Sequence, residues 1–137
     1  MIRSLITVTL VAACLALPEK GMAGGKFEGV WHPFSRPVEW LGAMTVSRDA
    51  LSFAAGPEAR LDPVREGGSV FRILDPQGYA FGGCGAEPIA YVGFHVLENG
   101  QLARLFYWDN GPPAEPTGSN STQVTMNGAC SVMFYAR

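Results

Sequence analysis

The chain has 137 residues, of which 47% are hydrophobic, and its 10 basic and 12 acidic side chains give a formal net charge of −2. This length is enough for one domain around one hydrophobic core. The slightly acidic balance and the scattered arginines argue against nucleic acid or an anionic membrane surface as a partner.

Residues 1–23 have the features of an export signal. One positive charge at Arg3 precedes an apolar run from Leu5 to Leu17, and Gly21-Met22-Ala23 supplies small residues for a cleavage site. The run is too short to span a bilayer as a helix. The sequence therefore predicts a signal peptide over 1–23, a mature domain over 24–137, and a periplasmic or secreted location.

Cysteine usage leaves a second processing route open. Val11-Ala12-Ala13-Cys14 resembles the lipobox of bacterial lipoproteins, which would make the chain a lipid-anchored structural envelope protein, its membrane contact made through Cys14. By either route Cys84 and Cys130 remain as an even pair, which in an oxidising compartment predicts a disulfide. Such a bond would close a loop of about 47 residues and stabilise the fold by up to about 4 kcal/mol.

Glycine and proline occur at short intervals after residue 26, and the apolar runs between them have strand length and period-two alternation. The clearest turns are Glu66-Gly67-Gly68 and Glu98-Asn99-Gly100, because Gly-Gly and Asn-Gly suit tight hairpins. The predicted strands are Phe27–Trp31, Trp40–Ser47, Ala50–Ala54, Arg60–Arg65, Ser69–Leu74, Ile89–Leu97, Gln101–Trp108 and Gln123–Ala136, the last with a bulge or bend at Asn127-Gly128.

This order of short strands predicts an all-β domain. We expect a single antiparallel up-and-down barrel of about 7–8 strands with one disulfide, because closure removes the exposed sheet edges. A β-sandwich is the alternative. In the strand Ile89–Leu97, the apolar set at 90, 92, 94 and 96 is expected to face the core, which places His95 and Tyr91 on the outer face.

Catalytic chemistry has little support in this sequence. The two histidines, His32 and His95, do not accompany a nucleophile elbow, and no spacing of ligand residues indicates a metal site. We read His32 as a surface residue at a strand end. We therefore expect a non-catalytic protein with no catalytic residue, no metal and no cofactor.

Aromatic residues near the ends of strands are the candidate binding residues. Tyr107 and Trp108 end one strand, and Phe34 and Trp40 flank the first connection. The irregular segment Asp109–Thr122 follows directly; it is too polar to be buried, and long loops in compact domains are often functional. Because rigid aromatic rings supply much contact area, we expect these four residues to bind a small hydrophobic ligand, apolar or aromatic.

Gly29-Val30-Trp31 resembles the G-x-W signature in the first strand of lipocalin-like barrels, the calycin group. The resemblance implies that Trp31 closes one end of a barrel and packs against an arginine from a late strand, here Arg137 or Arg104. A guanidinium stacks well on an indole face. Trp31, Cys84 and Cys130 are thus the expected structural residues.

Exported bacterial inhibitors of secreted metalloproteases share this format, although their disulfide staples the early strands. In that group the residues before the first strand enter the protease cleft, which would correspond here to Gly24–Lys26. The second expected function is therefore inhibition of a secreted or periplasmic hydrolase such as a protease or lysozyme, through this N-terminal segment or through the loop 109–122.

Overall fold

The computed structural model describes residues 26–56, 58–75 and 84–137. The predicted signal peptide 1–23, Cys14 and the residues Gly24 and Gly25 lie outside this part of the chain. Within it, eight antiparallel strands follow one another around a closed barrel, and β1 pairs with β8. The strands are β1 Gly29–Pro33, β2 Met44–Val46, β3 Ala50–Phe53, β4 Glu58–Pro63, β5 Val70–Ile73, β6 Tyr91–Val96, β7 Leu102–Tyr107 and β8 Ser131–Ala136.

The predicted up-and-down barrel is confirmed, and the sandwich alternative is wrong. Closure places His32 of β1 opposite Ala136 of β8, and Pro33 opposite Tyr135. The hairpin predicted at Glu98-Asn99-Gly100 is also present, with Leu97 N donating to Gln101 O at 2.8 Å. Its Gly100 has a φ of 86°, in the left-handed region that glycine adopts without strain.

Two predicted strand segments are helical instead. Residues Arg36–Leu41 form a 3₁₀ helix, so the strand predicted from Trp40 begins only at Met44. Pro37 explains the difference, because its fixed φ suits the first turn of a helix.

The second correction concerns the last predicted strand, from Gln123. Residues Ser121–Val124 form α1, which Asn120 caps by accepting a hydrogen bond from Gln123 N at 2.9 Å. Thr125–Asn127 then form a 3₁₀ helix, and β8 begins only at Ser131. The side-chain cap at Asn120 explains the helix, because it satisfies a free backbone N–H at the helix start.

The two ends of the barrel differ because consecutive strands alternate in direction. The connections β1–β2, β3–β4, β5–β6 and β7–β8 lie at one end, which we call the disulfide end because Cys84 and Cys130 lie in the last two of them. The turns β2–β3, β4–β5 and β6–β7 lie at the other, the hairpin end. The domain also begins and finishes at the hairpin end, where Lys26 O accepts a hydrogen bond from Arg137.

The barrel interior contains one set of buried apolar side chains, the inner cluster. Every strand contributes to it from its inward face, and Phe27 stacks on Phe94 with ring centroids 5.1 Å apart. The buried members of the inner cluster are Phe27, Trp31, Val38, Leu41, Met44, Val46, Leu51, Phe53, Ala59, Leu61, Phe71, Ile73, Cys84, Ile89, Val92, Phe94, Leu102, Phe106 and Tyr135.

A second set of buried residues, the outer cluster, lies on the outside of the sheet around β6 and β7. It explains why all six residues of β7 are buried. Its buried members are Val70, Ala90, Tyr91, Leu97, Ala103, Leu105, Tyr107 and Val124. Ala90, expected in the core, belongs to this outer cluster and Ile89 to the inner one, so the predicted alternation begins only at Tyr91.

Candidate functional site

The connection between β7 and β8, residues 108–130, crosses the outer face of the barrel, and we call it the strap. Glu115 fixes it to the β4–β5 turn: its carboxylate accepts hydrogen bonds from Ser69 N at 3.0 Å and from Ser69 Oγ at 2.7 Å. Gly68 permits this approach, because a Cβ there would collide with Glu115 Oε1. Arg65 adds a hydrogen bond to Pro113 O at 2.8 Å.

Two further contacts hold the strap against β6 and its hairpin. His95 Nε2 lies 2.7 Å from Gly118 O, and Glu98 N donates to Ser119 O at 3.1 Å. As predicted, His95 points outward, together with Tyr91. The strap residues around it are mostly exposed, as their polarity predicts, but Pro116 and Val124 are buried against the barrel.

The disulfide joins the end of the strap to the β5–β6 connection. Cys84 and Cys130 are bonded, as predicted, with Cα atoms 5.2 Å apart. Trp108 Nε1 donates a hydrogen bond to Cys84 O at 2.9 Å, and Cys130 N donates to Phe106 O at 2.8 Å. The indole at the start of the strap is therefore fixed to the cross-linked segment.

A pocket of about 200 Å³ opens where the strap leaves the barrel and returns to it. Two aromatic residues, two prolines and two asparagines are among the residues that line it. Asn127 is already engaged, since its amide bonds to Thr117 and to Val124 O. The residues that line the pocket are Tyr107, Trp108, Asn110, Gly111, Pro112, Pro113, Ala114, Asn127 and Gly128.

Tyr107 lines the pocket although only 5% of the residue is exposed, and its hydroxyl is buried. Burial, and then the negative charge of Glu115, raise the pKa of Tyr107 to about 12. Within residues 26–56, 58–75 and 84–137 the hydroxyl oxygen has no hydrogen-bond partner. It approaches Gly93, where an added Cβ would lie 3.5 Å from it. The phenol therefore stays neutral at physiological pH.

The four aromatic residues expected to bind a ligand separate into two pairs. Tyr107 and Trp108 line the pocket, with Trp108 40% exposed. Phe34 and Trp40 are 64% and 63% exposed and lie in the β1–β2 connection, also at the disulfide end but outside the pocket lining. The prediction grouped residues from two connections that share an end of the barrel but not this pocket.

Trp31 is buried in the inner cluster and donates a hydrogen bond to Phe27 O at 2.9 Å. Of the two arginines expected beside it, Arg137 makes the contact: its guanidinium carbon lies 4.2 Å from the centroid of the indole. Arg137 also donates to Glu28 O at 2.8 Å. Arg104 lies elsewhere, over the ring of Phe106 at 3.7 Å.

Arg104 is completely buried and lies on the inner face of β7, between Leu102 and Phe106. It donates to Tyr135 Oη at 3.4 Å and to Ser131 Oγ at 3.3 Å. Desolvation lowers the pKa of Arg104 to about 10, and burial raises the pKa of Tyr135. From the sequence, Arg104 was expected only as a partner for Trp31. Its neighbours Ala103 and Leu105 are both apolar, so they do not indicate that Arg104 faces the barrel interior.

We next consider the remaining histidine, metal ligands and membrane-spanning helices in the described part of the chain. His32 is exposed at the end of β1. The described residues contain no group of three or more His, Cys, Asp or Glu side chains placed to hold a metal ion. They also contain no helix with the length and hydropathy needed to cross a membrane.

Comparison with known proteins found no family model, no curated protein and no solved structure that matches this chain.

Proposed function

We propose that this chain is an exported, non-catalytic binding protein that takes a ring-bearing group into the pocket at the base of the strap. The observation that carries this proposal is the pairing of Tyr107 and Trp108 on the walls of one pocket. Rigid aromatic side chains provide large contact areas at small conformational cost. The ligand is an aromatic or apolar ring, with a polar substituent within reach of Asn110.

Preorganisation supports this choice of site. Trp108 is held by its hydrogen bond to Cys84 O, and Pro112 and Pro113 restrict the opposite wall. Arg65 anchors this wall through Pro113 O, and Glu115 anchors the segment that follows it through Ser69 N. A wall fixed before binding loses little entropy when the ligand enters, and this favours affinity.

A second candidate function, inhibition of a secreted hydrolase, is favoured by the size of the pocket and the apolar barrel interior. About 200 Å³ is less than the range of about 300–1,000 Å³ common for small-molecule sites, so the pocket fits one side chain of a larger partner. Large apolar side chains occupy the barrel interior, which favours recognition of a large partner at the surface. Lys26, of the expected inhibitory segment Gly24–Lys26, lies at the hairpin end, opposite the pocket.

Export and a lipocalin-like architecture belong to the same proposal. The Cys84–Cys130 disulfide supports a non-reducing compartment, in agreement with the signal expected over residues 1–23. The closed eight-stranded barrel and the stacking of Arg137 on Trp31 support the lipocalin-like resemblance. Both are compatible with a protein that binds rather than catalyses.

Backbone amide NMR with phenol and indole as probes tests the binding site. We expect saturable shifts confined to the amides of Asn110, Gly111 and Ala114 and to the indole N–H of Trp108. Trp108→Ala should abolish these shifts and Trp108→Phe should retain part of them. Trp40→Ala is the matched control, since Trp40 is exposed but outside the pocket. Shifts that survive in Trp108→Ala would refute the site.

Inhibition assays against a secreted metalloprotease and lysozyme separate the two candidate functions. Inhibition that is lost in Trp108→Ala and kept after deletion of Gly24–Lys26 assigns a protein partner to the pocket. Inhibition lost only with the deletion assigns it to the N-terminal segment. Phenol or indole binding without inhibition of either hydrolase favours the small ligand.

A further inference from the structure

Arg104 is a cation enclosed by the barrel. Its relative exposure is 0%, and its neighbours on the same face of β7 are the inner-cluster residues Leu102 and Phe106. Its guanidinium lies over the ring of Phe106, at 3.7 Å from the centroid. A buried charge is expensive unless paired and hydrogen-bonded, so its partners decide what this group does.

The hydrogen bonds of Arg104 fall short of what a guanidinium requires. Arginine has five N–H donors, and two of these reach an acceptor, at 3.4 Å on Tyr135 Oη and 3.3 Å on Ser131 Oγ. Both distances exceed the roughly 2.7–2.9 Å of charge-assisted hydrogen bonds. The Nε atom is buried and has no acceptor among the described residues. Such orphaned donors in a native protein call for a water or an ion.

The charge of Arg104 is also unbalanced. Its charge interacts with the Tyr135 phenol, whose own pKa is raised by burial, so that this partner is neutral at physiological pH. No carboxylate in residues 26–56, 58–75 or 84–137 lies within ion-pair distance of the guanidinium. Eleven of the twelve acidic residues of the chain lie in these ranges, and the other, Glu19, precedes them. A water molecule would satisfy the N–H groups but not the charge.

We propose that Arg104, with the hydroxyls of Tyr135 and Ser131, forms a binding site for a single anionic group inside the barrel. The guanidinium supplies the charge and the free Nε–H, and the two hydroxyls can turn to donate to the anion. A free inorganic anion such as chloride and the carboxylate of a small organic acid share this chemistry. The site is separate from the pocket, since the two sets of residues have no member in common.

Thermal unfolding of the purified protein in sodium chloride, sodium acetate and sodium octanoate tests the site. A binding anion should raise the Tm along a saturating curve, by about 5 °C at a tenfold excess over Kd. Arg104→Met should remove this rise. The matched control is Arg72→Met, because exposed Arg72 also lies over a tyrosine ring, at 5.0 Å, and donates to its hydroxyl.

The three salts distinguish the sources of the anion. A rise with both chloride and acetate assigns the site to a free small anion, and a rise with octanoate alone assigns it to the carboxylate of an apolar ligand. Equal Tm curves for the native protein and Arg104→Met would mean general salt effects and would overturn the proposal.

A measurement on the native protein covers the case in which Arg104→Met does not fold. The Nε–H signal of Arg104 in ¹⁵N NMR should shift on titration and saturate with the anion that raises the Tm. The Nε–H of Arg72 should not follow the same curve. If the Nε–H signal of Arg104 stays unchanged with all three salts, none of these anions binds at this group, and the proposal is wrong.

Discussion

Tyr91 and Tyr107 face each other across β6 and β7 and belong to the same outer cluster, yet their hydroxyls differ. Tyr91 Oη accepts a hydrogen bond from Arg72 at 2.7 Å. Tyr107 Oη is buried and has no partner among the described residues. A buried hydroxyl without a partner costs roughly 1–3 kcal/mol relative to a hydrated one, so the two hydroxyls contribute to stability with opposite signs.

We expect Tyr107→Phe to leave the free energy of unfolding unchanged or to raise it by about 1 kcal/mol at neutral pH, because the substitution removes an unsatisfied group. Tyr91→Phe, the matched control, should lower it by about 1 kcal/mol through loss of the Arg72 hydrogen bond. Urea denaturation measures both. A clear loss of stability in Tyr107→Phe would show that the hydroxyl is hydrogen-bonded.

The raised pKa of Tyr107 also makes the difference in stability between Tyr107→Phe and the native protein depend on pH. The folded protein holds this phenolic proton up to a pKa of about 12, whereas the unfolded chain releases it near 10. The contribution of Tyr107 to stability is therefore complete below about pH 10 and is lost as the pH rises through 12. Between these values we expect the stability of Tyr107→Phe relative to the native protein to increase, measured as the difference between their urea midpoints.

Individual residues also show the limits of sequence reading. The contact between Arg137 and Trp31 was one of two pairings that the G-x-W pattern allowed, and the structure selects it. The burial of Arg104 could not be inferred, because the other five residues of β7 are apolar, and their alternation therefore does not show which face is the inner one. Only the packing of the strap against the outer face of β7 covers both faces of this strand.

At the scale of elements, the strap depends on a few polar contacts more than on apolar burial. Of its residues, Pro116 and Val124 are buried against the barrel, and Ala129 packs against the outer cluster. The Glu115 carboxylate, by contrast, makes hydrogen bonds to both the amide and the hydroxyl of Ser69. The strap should therefore be the part of the domain that opens at the lowest free energy.

Glu115→Ala tests this anchor. We expect a loss of about 1–3 kcal/mol in the free energy of strap opening, because the substitution leaves the part-buried backbone N–H of Ser69 without its acceptor. Hydrogen exchange should accelerate at Ser69 and around Gly118, with little change in β2 and β3. Glu66→Ala, an exposed change in the same β4–β5 turn, is the control. Unchanged exchange at Ser69 in Glu115→Ala would mean that other contacts hold the strap.

The hairpins were predictable and the helices were not, for identifiable reasons. Turns such as Glu98-Asn99-Gly100 carry their own local signal in Asn-Gly. The helix Arg36–Leu41 and α1 are too short to show helical periodicity, so only Pro37 and the cap residue Asn120 mark them. Two of the residues that line the pocket, Tyr107 and Trp108, were predicted from their place beside a long loop. The others lie in that loop, whose fold the sequence did not predict.

At the scale of the whole molecule, two long-range connections restrain the C-terminal strand. Hydrogen bonding of β8 to both β7 and β1 closes the barrel, and the disulfide ties Cys130, directly before β8, to Cys84. The strand pairing closes the barrel in the folded state, whereas the disulfide reduces the conformational freedom of the unfolded chain. The barrel should therefore persist without the disulfide, at lower stability.

The double variant Cys84→Ser/Cys130→Ser should keep its far-ultraviolet circular dichroism spectrum and lose up to about 4 kcal/mol in the free energy of unfolding. Urea denaturation of the variant, compared with the native protein with and without a reducing agent, measures the loss. The reduced native protein should match the variant. If the variant unfolds outright, the barrel depends on the cross-link in the native state as well.

The position of the disulfide has one more consequence, for survival among proteases. Most residues from 108 to 123 are exposed, so the strap presents accessible peptide bonds to a protease. A cut there divides the chain into two fragments, but Cys84 lies in the first and Cys130 in the second. The severed strand β8 stays covalently attached and in register at its place in the barrel. A nicked copy thus remains a single molecule, and a cut in this exposed loop does not release the strand that closes the fold.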